Sequence, residues 1–228
     1  MSDAGMRDAA RFIVLEGGDG VGKTTQAVLL TEWFDAIGLP YISTREPGGT
    51  PVGEAIREVV LGRHDLEMPA ETELMLILAA RAAFVRDVVR PALAAGKTVL
   101  ADRFSLSTLA YQGHGRGLDL DRVREAIDLA TGGLTPDLYL VLDLPTEEGE
   151  DRQKRDGGEA DRIEQEGSAF RRVVRDGYLA LAQSEPHVEV VSARGTPENV
   201  HARIRDRLLY HFPTTFSDRG ATEQREAG

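Results

Sequence analysis

The chain contains no cysteine, so disulfide bonds and metal sites built on thiolates are excluded. Its apolar runs are too short to span a bilayer, which argues against a membrane-embedded protein. The first residues lack the basic start and the apolar stretch that are typical of a secretory signal peptide. From these absences we expect a cytoplasmic protein that has no membrane partner.

Positive charge is scarce as well, because 27 Lys and Arg residues stand against 38 Asp and Glu residues and leave a formal net charge of −11. This balance argues against nucleic acid as a partner, since non-specific binding relies on basic residues that neutralise phosphates. Any anion must therefore be held by basic residues placed locally. The 228 residues, 41% of them hydrophobic and 29% charged, suit one globular α/β domain.

What the sequence does contain is a glycine-rich segment, residues 17–24, that fits G-x-x-x-x-G-K-[ST] at every fixed position. The apolar run at residues 12–15 predicts a buried strand before it, and the apolar spacing over residues 27–37 predicts a helix after it. In this context the backbone N–H groups of the loop and of the helix N-terminus surround phosphate oxygens. Lys23 supplies a charge for the β- and γ-phosphates, and the Thr24 hydroxyl suits Mg²⁺. The segment predicts a binding site for a nucleoside triphosphate.

Short β-like runs alternate with helical patterns along the rest of the chain. Further strands are predicted at residues 41–44, 98–101, 138–142 and 188–191, and helices near residues 50–61, 70–94, 119–132, 146–154, 165–184 and 197–210. This alternation predicts an α/β fold of three layers, a P-loop NTPase fold with a five-stranded parallel sheet flanked by helices. We expect a single domain over residues 11–212, with flexible tails at residues 1–10 and 213–228.

The strand predicted at residues 98–101 is followed by a carboxylate and an arginine. Asp102 would leave the sheet beside the glycine loop, where it suits Mg²⁺ or its water ligands. Arg103 would direct a planar, permanently charged donor group at the phosphates. A structural ion pair at the end of a strand is the alternative interpretation. We predict no catalytic base, because a substrate phosphate is already ionised near neutral pH, and we expect positioning and charge neutralisation to dominate.

A basic segment that contains glycines, residues 152–164, lies between two predicted helices and is typical of a lid over a triphosphate. Its arginines, Arg152, Arg155 and Arg162, would approach the charge that develops during transfer, as an arginine finger supplied by the same chain does. The alternative is a solvated loop in which acidic and basic residues cancel.

Several segments together resemble bacterial thymidylate kinases, which are P-loop nucleoside monophosphate kinases. They are residues 17–25, 44–50 (TREPGGT), 102–103, 107–113 (STLAYQG) and 161–166 (DRIEQE), and the likeness runs from about residue 11 to residue 211. The resemblance implies transfer of the γ-phosphate of ATP to dTMP to give dTDP, Mg²⁺ as cofactor, and a homodimer. Two alternatives stay open: a kinase for another or modified pyrimidine nucleoside monophosphate, and a non-catalytic P-loop protein that binds nucleotide.

The resemblance also implies roles for individual residues. The expected ATP-binding set is Gly17, Gly18, Asp19, Gly20, Val21, Gly22, Lys23, Thr24 and Thr25. The expected dTMP-binding set is Asp19, Glu46, Pro47, Arg57, Ile77, Arg81, Arg103, Thr108, Tyr111 and Gln112. The catalytic set is Lys23, Arg103, Arg155 and Arg162, and the metal set is Thr24 and Asp102.

Within the dTMP set, Arg57 and Arg103 would hold the acceptor phosphate. Arg81 and Gln112 would face the thymine edge, which a guanidinium and an amide can read with fixed donors and acceptors. Tyr111 would pack under the deoxyribose.

The glycine loop has no arginine whereas the lid has three, which resembles the lid-arginine type of the family. Relatives often place an arginine one to four residues before the Asp161–Arg162 pair, where this chain has GGEA at residues 157–160. Arg155 is the residue that we expect to take that role.

Ile77 stands four residues before Arg81, where the family usually has a Phe stacked on thymine. The spacing puts both residues on one helix face. An isoleucine offers an apolar wall but no π-face, a loss of about 0.5–1.5 kcal/mol. We therefore expect weaker dTMP binding or an altered base preference.

The helix predicted at residues 70–94 is our candidate for a dimer face, because it carries Leu74, Leu78, Val85 and Val88. Packing of these four residues in the core is the alternative interpretation.

Overall fold

The computed structural model describes residues 10–157 and 161–217, and its centre is a sheet of five parallel strands. The strands are β1 (Phe12–Glu16), β2 (Tyr41–Arg45), β3 (Thr98–Asp102), β4 (Leu138–Asp143) and β5 (Val188–Ser192). Their order across the sheet is β2-β3-β1-β4-β5, and every neighbouring pair is parallel. The predicted α/β fold with a five-stranded parallel sheet flanked by helices is confirmed.

Helices connect the strands, and the predicted helical regions all contain one. They are α1 (Lys23–Ala36), α2 (Pro51–Arg57), α3 (Ala70–Phe84), α4 (Arg90–Ala94), α5 (Ser105–Thr108), α6 (Leu120–Thr131), α7 (Thr146–Asp156), α8 (Gly167–Ser184), α9 (Pro197–His211) and α10 (Pro213–Phe216). Wider π-helical segments, Glu58–Gly62, Val85–Val89 and Leu109–Gly115, continue α2, α3 and α5, and Glu164–Glu166 form a 3₁₀ turn. No helix among the described residues is long and apolar enough to cross a bilayer.

The core lies on both faces of the sheet, because successive side chains of a strand point to opposite faces. On β1, Phe12 and Val14 join the apolar cluster that contains Phe84, whereas Ile13 and Leu15 join the cluster under α1. Each fully buried aliphatic or aromatic side chain of this kind contributes about 1.5–3 kcal/mol. The sheet is therefore a rigid support for the loops at its carboxyl edge.

The longer of two helical segments that were not expected from the sequence is α5 with its π-helical continuation, over residues 105–115. This stretch, SLSTLAYQGHG, is rich in serine, threonine and glycine, which favour helices weakly. The helix is held from outside instead, since Glu16 accepts hydrogen bonds from the N–H groups of Phe104 (2.9 Å) and Ser107 (3.2 Å). Packing against α8 adds support, and it is close enough that a Cβ at Gly115 would lie 2.8 Å from the Phe170 ring.

The first residues of the predicted C-terminal tail form a short helix. Residues 213–216 form α10 instead of a flexible segment, and Phe216 is 1% exposed because its ring stacks on Trp33 with centroids 5.7 Å apart. One aromatic residue in a hydrophilic stretch is thus enough to dock the turn that carries it. The remaining tail predictions, residues 1–9 and 218–228, lie outside the described residues.

Candidate active site

The carboxyl ends of the strands open into a cleft of about 1140 Å³. Leu15 and Asp102 are paired in the ladder between β1 and β3, so these two strands end at the same level. Most of the predicted residues line the cleft: Asp19, Gly20, Val21, Gly22, Lys23, Thr24, Thr25, Glu46, Pro47, Arg57, Ile77, Arg81, Asp102, Arg103, Thr108, Tyr111, Gln112 and Arg155. Gly17 and Gly18 line a smaller neighbouring cavity, and Arg162 does not line the cleft.

The glycine loop has a geometry that suits phosphate binding. A Cβ at Gly20 would lie 2.2 Å from the Gly149 carbonyl oxygen, and Gly20 has a φ of +73°, so a larger residue would not fit. Gly22 precedes α1 and offers no side chain to its first N–H groups, which leaves these donors to an anion. The Lys23 ammonium donates to the carbonyl oxygens of Gly17 (3.1 Å) and Gly18 (2.8 Å) and is thereby held inside the loop.

Arg103 follows β3 and faces this loop. Its φ is +74°, which is uncommon for a residue with a side chain, and its N–H donates to the Leu15 carbonyl oxygen at 2.9 Å. The guanidinium pairs with Asp19 and lies over the Tyr111 ring, with 5.0 Å between the guanidinium carbon and the ring centroid. The Tyr111 hydroxyl donates to the other Asp19 oxygen at 3.1 Å. Three predicted residues are therefore linked at the centre of the cleft.

Asp19 keeps its charge in this arrangement. Burial acts to raise the pKa of its carboxyl, but the positive charges of Arg103 and Lys23 and the Tyr111 hydroxyl outweigh burial, so the pKa lies below its usual value. For Lys23, burial and then the nearby Arg103 charge lower the pKa. Both groups thus respond to Arg103, which carries a fixed positive charge between them.

Glu16, at the end of β1, is a residue that the sequence prediction missed. It is fully buried and accepts hydrogen bonds from the Ser107 hydroxyl (2.5 Å) and the Tyr178 hydroxyl (3.0 Å), in addition to the two N–H groups that begin the 105–115 helix. Burial raises the pKa of this carboxyl. A charged residue at the end of an otherwise apolar strand was the available signal.

Arg81 of α3 is fixed on the wall of the cleft opposite the loop. It donates to the Glu46 carboxylate (2.7 Å), the Thr108 hydroxyl (2.8 Å) and the Phe104 carbonyl oxygen (3.0 Å). Burial raises the pKa of Glu46 to about 7, although the Arg81 charge opposes this shift. The bond between Glu46 and Pro47 is cis, and Arg57 donates to the Pro47 carbonyl oxygen at 3.0 Å.

Ile77 lies one turn before Arg81 and lines the same wall, with 8% of its surface exposed. Val60, Leu61 and Ile163 add further apolar surface to the cleft. The nearest aromatic residue along this stripe, Phe84, is fully buried and packs on Phe104 in the core. Aliphatic side chains therefore form this wall.

The lid arginines occupy three different environments. Arg155 is exposed and donates to the Asp151 carbonyl oxygen at 3.0 Å, and Arg152 donates to the Ala193 carbonyl oxygen at 3.0 Å; both line the cleft. Arg162 instead donates to the Val60 carbonyl oxygen (2.8 Å) and pairs with Glu73. Residues 158–160 of the predicted lid lie outside the described residues.

Arg171 of α8 also lines the cleft and was missed, because nothing in a single sequence marks one arginine of an amphipathic helix. It donates to the Glu164 carbonyl oxygen at 2.6 Å. Basic residues thus surround the cleft of a chain whose net charge is −11. Such a local concentration attracts a polyanion in spite of the overall charge.

The residues predicted to hold Mg²⁺ fit this role. Oδ1 of Asp102 is buried and has no hydrogen-bond partner among the described residues, and Asp102 lines the cleft together with Thr24. The described part of the chain contains no group of three or more His, Asp and Glu side chains arranged for a metal ion. Mg²⁺ does not require one, because it is commonly bound by one or two carboxylates, water and substrate phosphates.

Comparison with known proteins gives a consistent result. The family model for thymidylate kinase matches residues 15–204. A thymidylate kinase of Synechococcus sp. (strain JA-2-3B'a(2-13)) is 52% identical over 194 residues, which are 85% of this chain and 91% of the relative. A thymidylate kinase of Pelotomaculum thermopropionicum is 49% identical over 195 residues, 85% of this chain and 90% of the relative. The crystal structure of thymidylate kinase from Ehrlichia chaffeensis superposes with a TM-score of 0.71 at 30% identity, covering 88% of this chain and 99% of that one.

Proposed function

The chain belongs to the thymidylate kinase family and is an enzyme that transfers the γ-phosphoryl group of ATP to dTMP, and we propose that the cleft at the carboxyl edge of the sheet performs this transfer. The observation that carries the proposal is the linkage of the phosphate loop to Arg103 through Asp19. This ion pair thereby joins the site for the phosphoryl donor, ATP, to the site for the phosphoryl acceptor, dTMP. No finding favours the two alternatives, another pyrimidine acceptor or a non-catalytic binding protein.

In this proposal, ATP lies on the loop of residues 17–25. The dTMP lies in the part of the cleft that three segments surround. One contains Pro47 and Arg57, the second contains Ile77 and Arg81, and the third is residues 103–112. Arg57 and Arg103 bind the acceptor phosphate, and Arg81, Thr108 and Gln112 face the base. Tyr111, tied to Asp19, packs beneath the sugar.

The reaction is a direct displacement at the γ-phosphorus. An ionised oxygen of the dTMP phosphate forms the new P–O bond, and the bond between the γ-phosphorus and the β–γ bridging oxygen breaks, which releases ADP. The acceptor needs no general base, because its second pKa is about 6. Lys23 and Arg103 neutralise the charge on the transferred group and hold the reacting oxygens in line.

Mg²⁺ is part of the proposal, held by Thr24 and by Asp102 directly or through water. An ion held by these two residues would supply positive charge that offsets the negative charge of the triphosphate. The unpartnered Oδ1 of Asp102 supports this role.

Among the lid arginines, we assign the catalytic finger to Arg155. It is exposed and lines the cleft, and among the described residues its side chain bonds to a carbonyl oxygen of its own helix. Arg162, which the family resemblance placed in the expected catalytic set, pairs with buried Glu73 outside the cleft lining. This environment favours a structural role for Arg162.

The proposal also includes a homodimer. Its contact surface on α3 differs from the apolar face that we predicted from the sequence. Leu74, Leu78 and Val85 are at most 5% exposed and pack in the core of their own chain. The exposed stripe of this helix contains Met75, Ala79 and Ala82 instead. Small side chains and a flexible methionine let two helices approach closely, so we propose this stripe as the dimer contact. The cytoplasmic location and the single-domain organisation stay predictions from the sequence.

The test of the proposed site is an ADP-release assay with and without dTMP. The wild-type chain should release ADP at a rate that depends on dTMP. Lys23→Ala and Arg103→Ala should each lower this rate at least a hundredfold while the sheet stays folded by circular dichroism. Full dTMP-dependent activity in either variant would refute the assignment of the cleft.

A further inference from the structure

Glu73 is a buried carboxylate beside the proposed base site, and no role for it follows from the sequence motifs. It lies in the first turn of α3, and its side chain is 1% exposed. Oε1 accepts from Gln112 Nε2 at 2.8 Å and from Arg116 Nε at 3.2 Å. Oε2 accepts from Arg116 Nη2 at 3.1 Å and also pairs with Arg162. Both oxygens are therefore engaged, by three residues that lie on two separate segments of the chain.

Glu73 is ionised in this environment and can only accept hydrogen bonds. Burial acts to raise the pKa of its carboxyl, but hydrogen bonds from Arg116, Arg162 and Gln112 outweigh burial, so the pKa lies below its usual value. Two arginines that share Oε2, one of which also binds Oε1, fix the position of the carboxylate. An ionised carboxylate has no proton to donate, whatever its rotamer.

This property determines which way the Gln112 amide points. Since Glu73 accepts only, the atom of Gln112 that meets it must be Nε2, and Oε1 lies on the other branch of the amide. Gln112 is 1% exposed and lines the cleft, and Oε1 has no hydrogen-bond partner within residues 10–157 and 161–217. Nε2 retains a second hydrogen. The amide therefore offers one acceptor and one donor to a ligand.

We propose that Glu73 is a positioning residue for base selection: it orients the Gln112 amide so that Oε1 accepts from the N3–H of the acceptor pyrimidine. This inference rests on the proposed placement of the base beside Gln112. Thymine and uracil carry N3–H next to carbonyl oxygens and match an acceptor beside a donor. Neutral cytosine carries an N3 acceptor and a 4-amino group, which leaves Oε1 without a partner. A buried polar atom left unpaired in this way disfavours the wrong base.

The test compares kcat/KM for dTMP and for dCMP in the wild-type enzyme and in Glu73→Gln. An amide at position 73 can donate to Gln112 Oε1, which allows the Gln112 amide to turn and to present N–H groups to the base. We expect the dTMP-to-dCMP ratio to fall at least tenfold in Glu73→Gln. If Glu73 served folding alone, its replacement would lower kcat/KM for both substrates in parallel. An unchanged ratio therefore overturns the proposal.

The matched control is Glu166→Gln, which removes a carboxylate from the outer side of the same network. Glu166 pairs with Arg116, and its side chain neither lines the cleft nor bonds to Gln112 among the described residues. The dTMP-to-dCMP ratio should stay at the wild-type value in this variant. A fall equal to that in Glu73→Gln would assign the effect to the network as a whole and overturn a specific role of Glu73.

Two further measurements separate the possible failures. If Gln112→Ala leaves KM for dTMP unchanged, the proposed base site is wrong; if KM rises but Glu73→Gln keeps the ratio, only the role of Glu73 is wrong. The wild-type enzyme supplies a test that does not depend on folding of the variant. Its kcat/KM for dCMP and for N3-methylated dTMP should each be more than tenfold below that for dTMP. A value within tenfold of that for dTMP, with either nucleotide, would overturn the proposal.

Discussion

At the scale of single residues, Ile77 determines what the thymine ring contacts in the proposed site. We expect Ile77→Phe to lower KM for dTMP about 2- to 10-fold with kcat little changed, because an aromatic face adds about 0.5–1.5 kcal/mol beyond the area that it buries. Steady-state kinetics with dTMP and dUMP measure the effect. Ile77→Leu keeps the volume without a π-face and should leave KM as it is. If KM for both nucleotides is the same in all three proteins, Ile77 does not contact the base.

The second prediction concerns Glu46 and how the free energy of unfolding depends on pH. Burial raises the pKa of its carboxyl from about 4.5 to about 7. Because the pKa in the folded state is the higher one, the contribution of Glu46 to stability is fully present below pH 4.5 and is lost as the pH rises through 7. Glu46→Gln has no such dependence. Between these pH values the wild type should therefore lose about 3 kcal/mol relative to the variant.

Urea unfolding at a series of pH values tests this prediction, with the free energy of unfolding compared between the wild type and Glu46→Gln. The difference should change mainly between pH 4.5 and pH 7. Parallel profiles would mean that Arg81 keeps Glu46 ionised throughout this range and that the pKa is not raised.

Not every residue of this site could be predicted from the sequence. Lys23 and Thr24 belong to a local motif with a physical meaning of its own, so their place in the cleft was expected. Glu16 and Glu73 belong to no such motif, since their partners lie 39 to 162 residues away along the chain and meet them only through the fold. Spacing within a segment cannot report contacts of that range.

At the scale of elements, the sheet was predictable because short runs rich in apolar and β-branched residues alternate with helical patterns. The 105–115 helix was not predictable, because its sequence favours a helix weakly and its first turn is held by Glu16 at the end of β1. The lid is the third case. Its helix, α7, was expected, and both of its arginines, Arg152 and Arg155, line the cleft. Arg162 comes after the helix ends at Gly157, where φ is +70°, and its place outside the lining depends on contacts with Val60 and Glu73 that the local sequence does not show.

The lid helix gives the next prediction. Arg155→Ala should lower kcat at least tenfold and leave KM for dTMP nearly unchanged, because the guanidinium neutralises charge that develops in the transition state and does not contact the acceptor. The measurement is steady-state kinetics at saturating ATP. Asp151→Ala, one turn earlier on the exposed side of α7, is the control and should retain wild-type kcat. Unchanged turnover in Arg155→Ala would transfer the role to Arg152 or Arg171, which also line the cleft.

At the scale of the whole molecule, charge is divided between the cleft and the remaining surface. The chain as a whole carries −11, whereas the cleft is lined by Lys23, Arg57, Arg103, Arg152 and Arg171 among others. A negatively charged surface keeps copies of the chain apart unless an uncharged face covers part of it. The uncharged stripe of Met75, Ala79 and Ala82 on α3 is such a face, and it lies on the same helix as Ile77 and Arg81.

The dimer proposed for this stripe makes the last prediction. Ala79→Arg should convert the wild-type dimer into a monomer, because a long charged side chain at the centre of a close helix contact cannot be accommodated without an unpaired buried charge. Light scattering coupled to gel filtration, at micromolar concentrations, gives the molar mass directly. Ala202→Arg adds the same charge to an exposed position of α9 and should remain a dimer. A dimeric Ala79→Arg would exclude this stripe, and a monomeric wild type would exclude the dimer itself. If the dimer supports the base site through α3, KM for dTMP should rise in Ala79→Arg but not in Ala202→Arg.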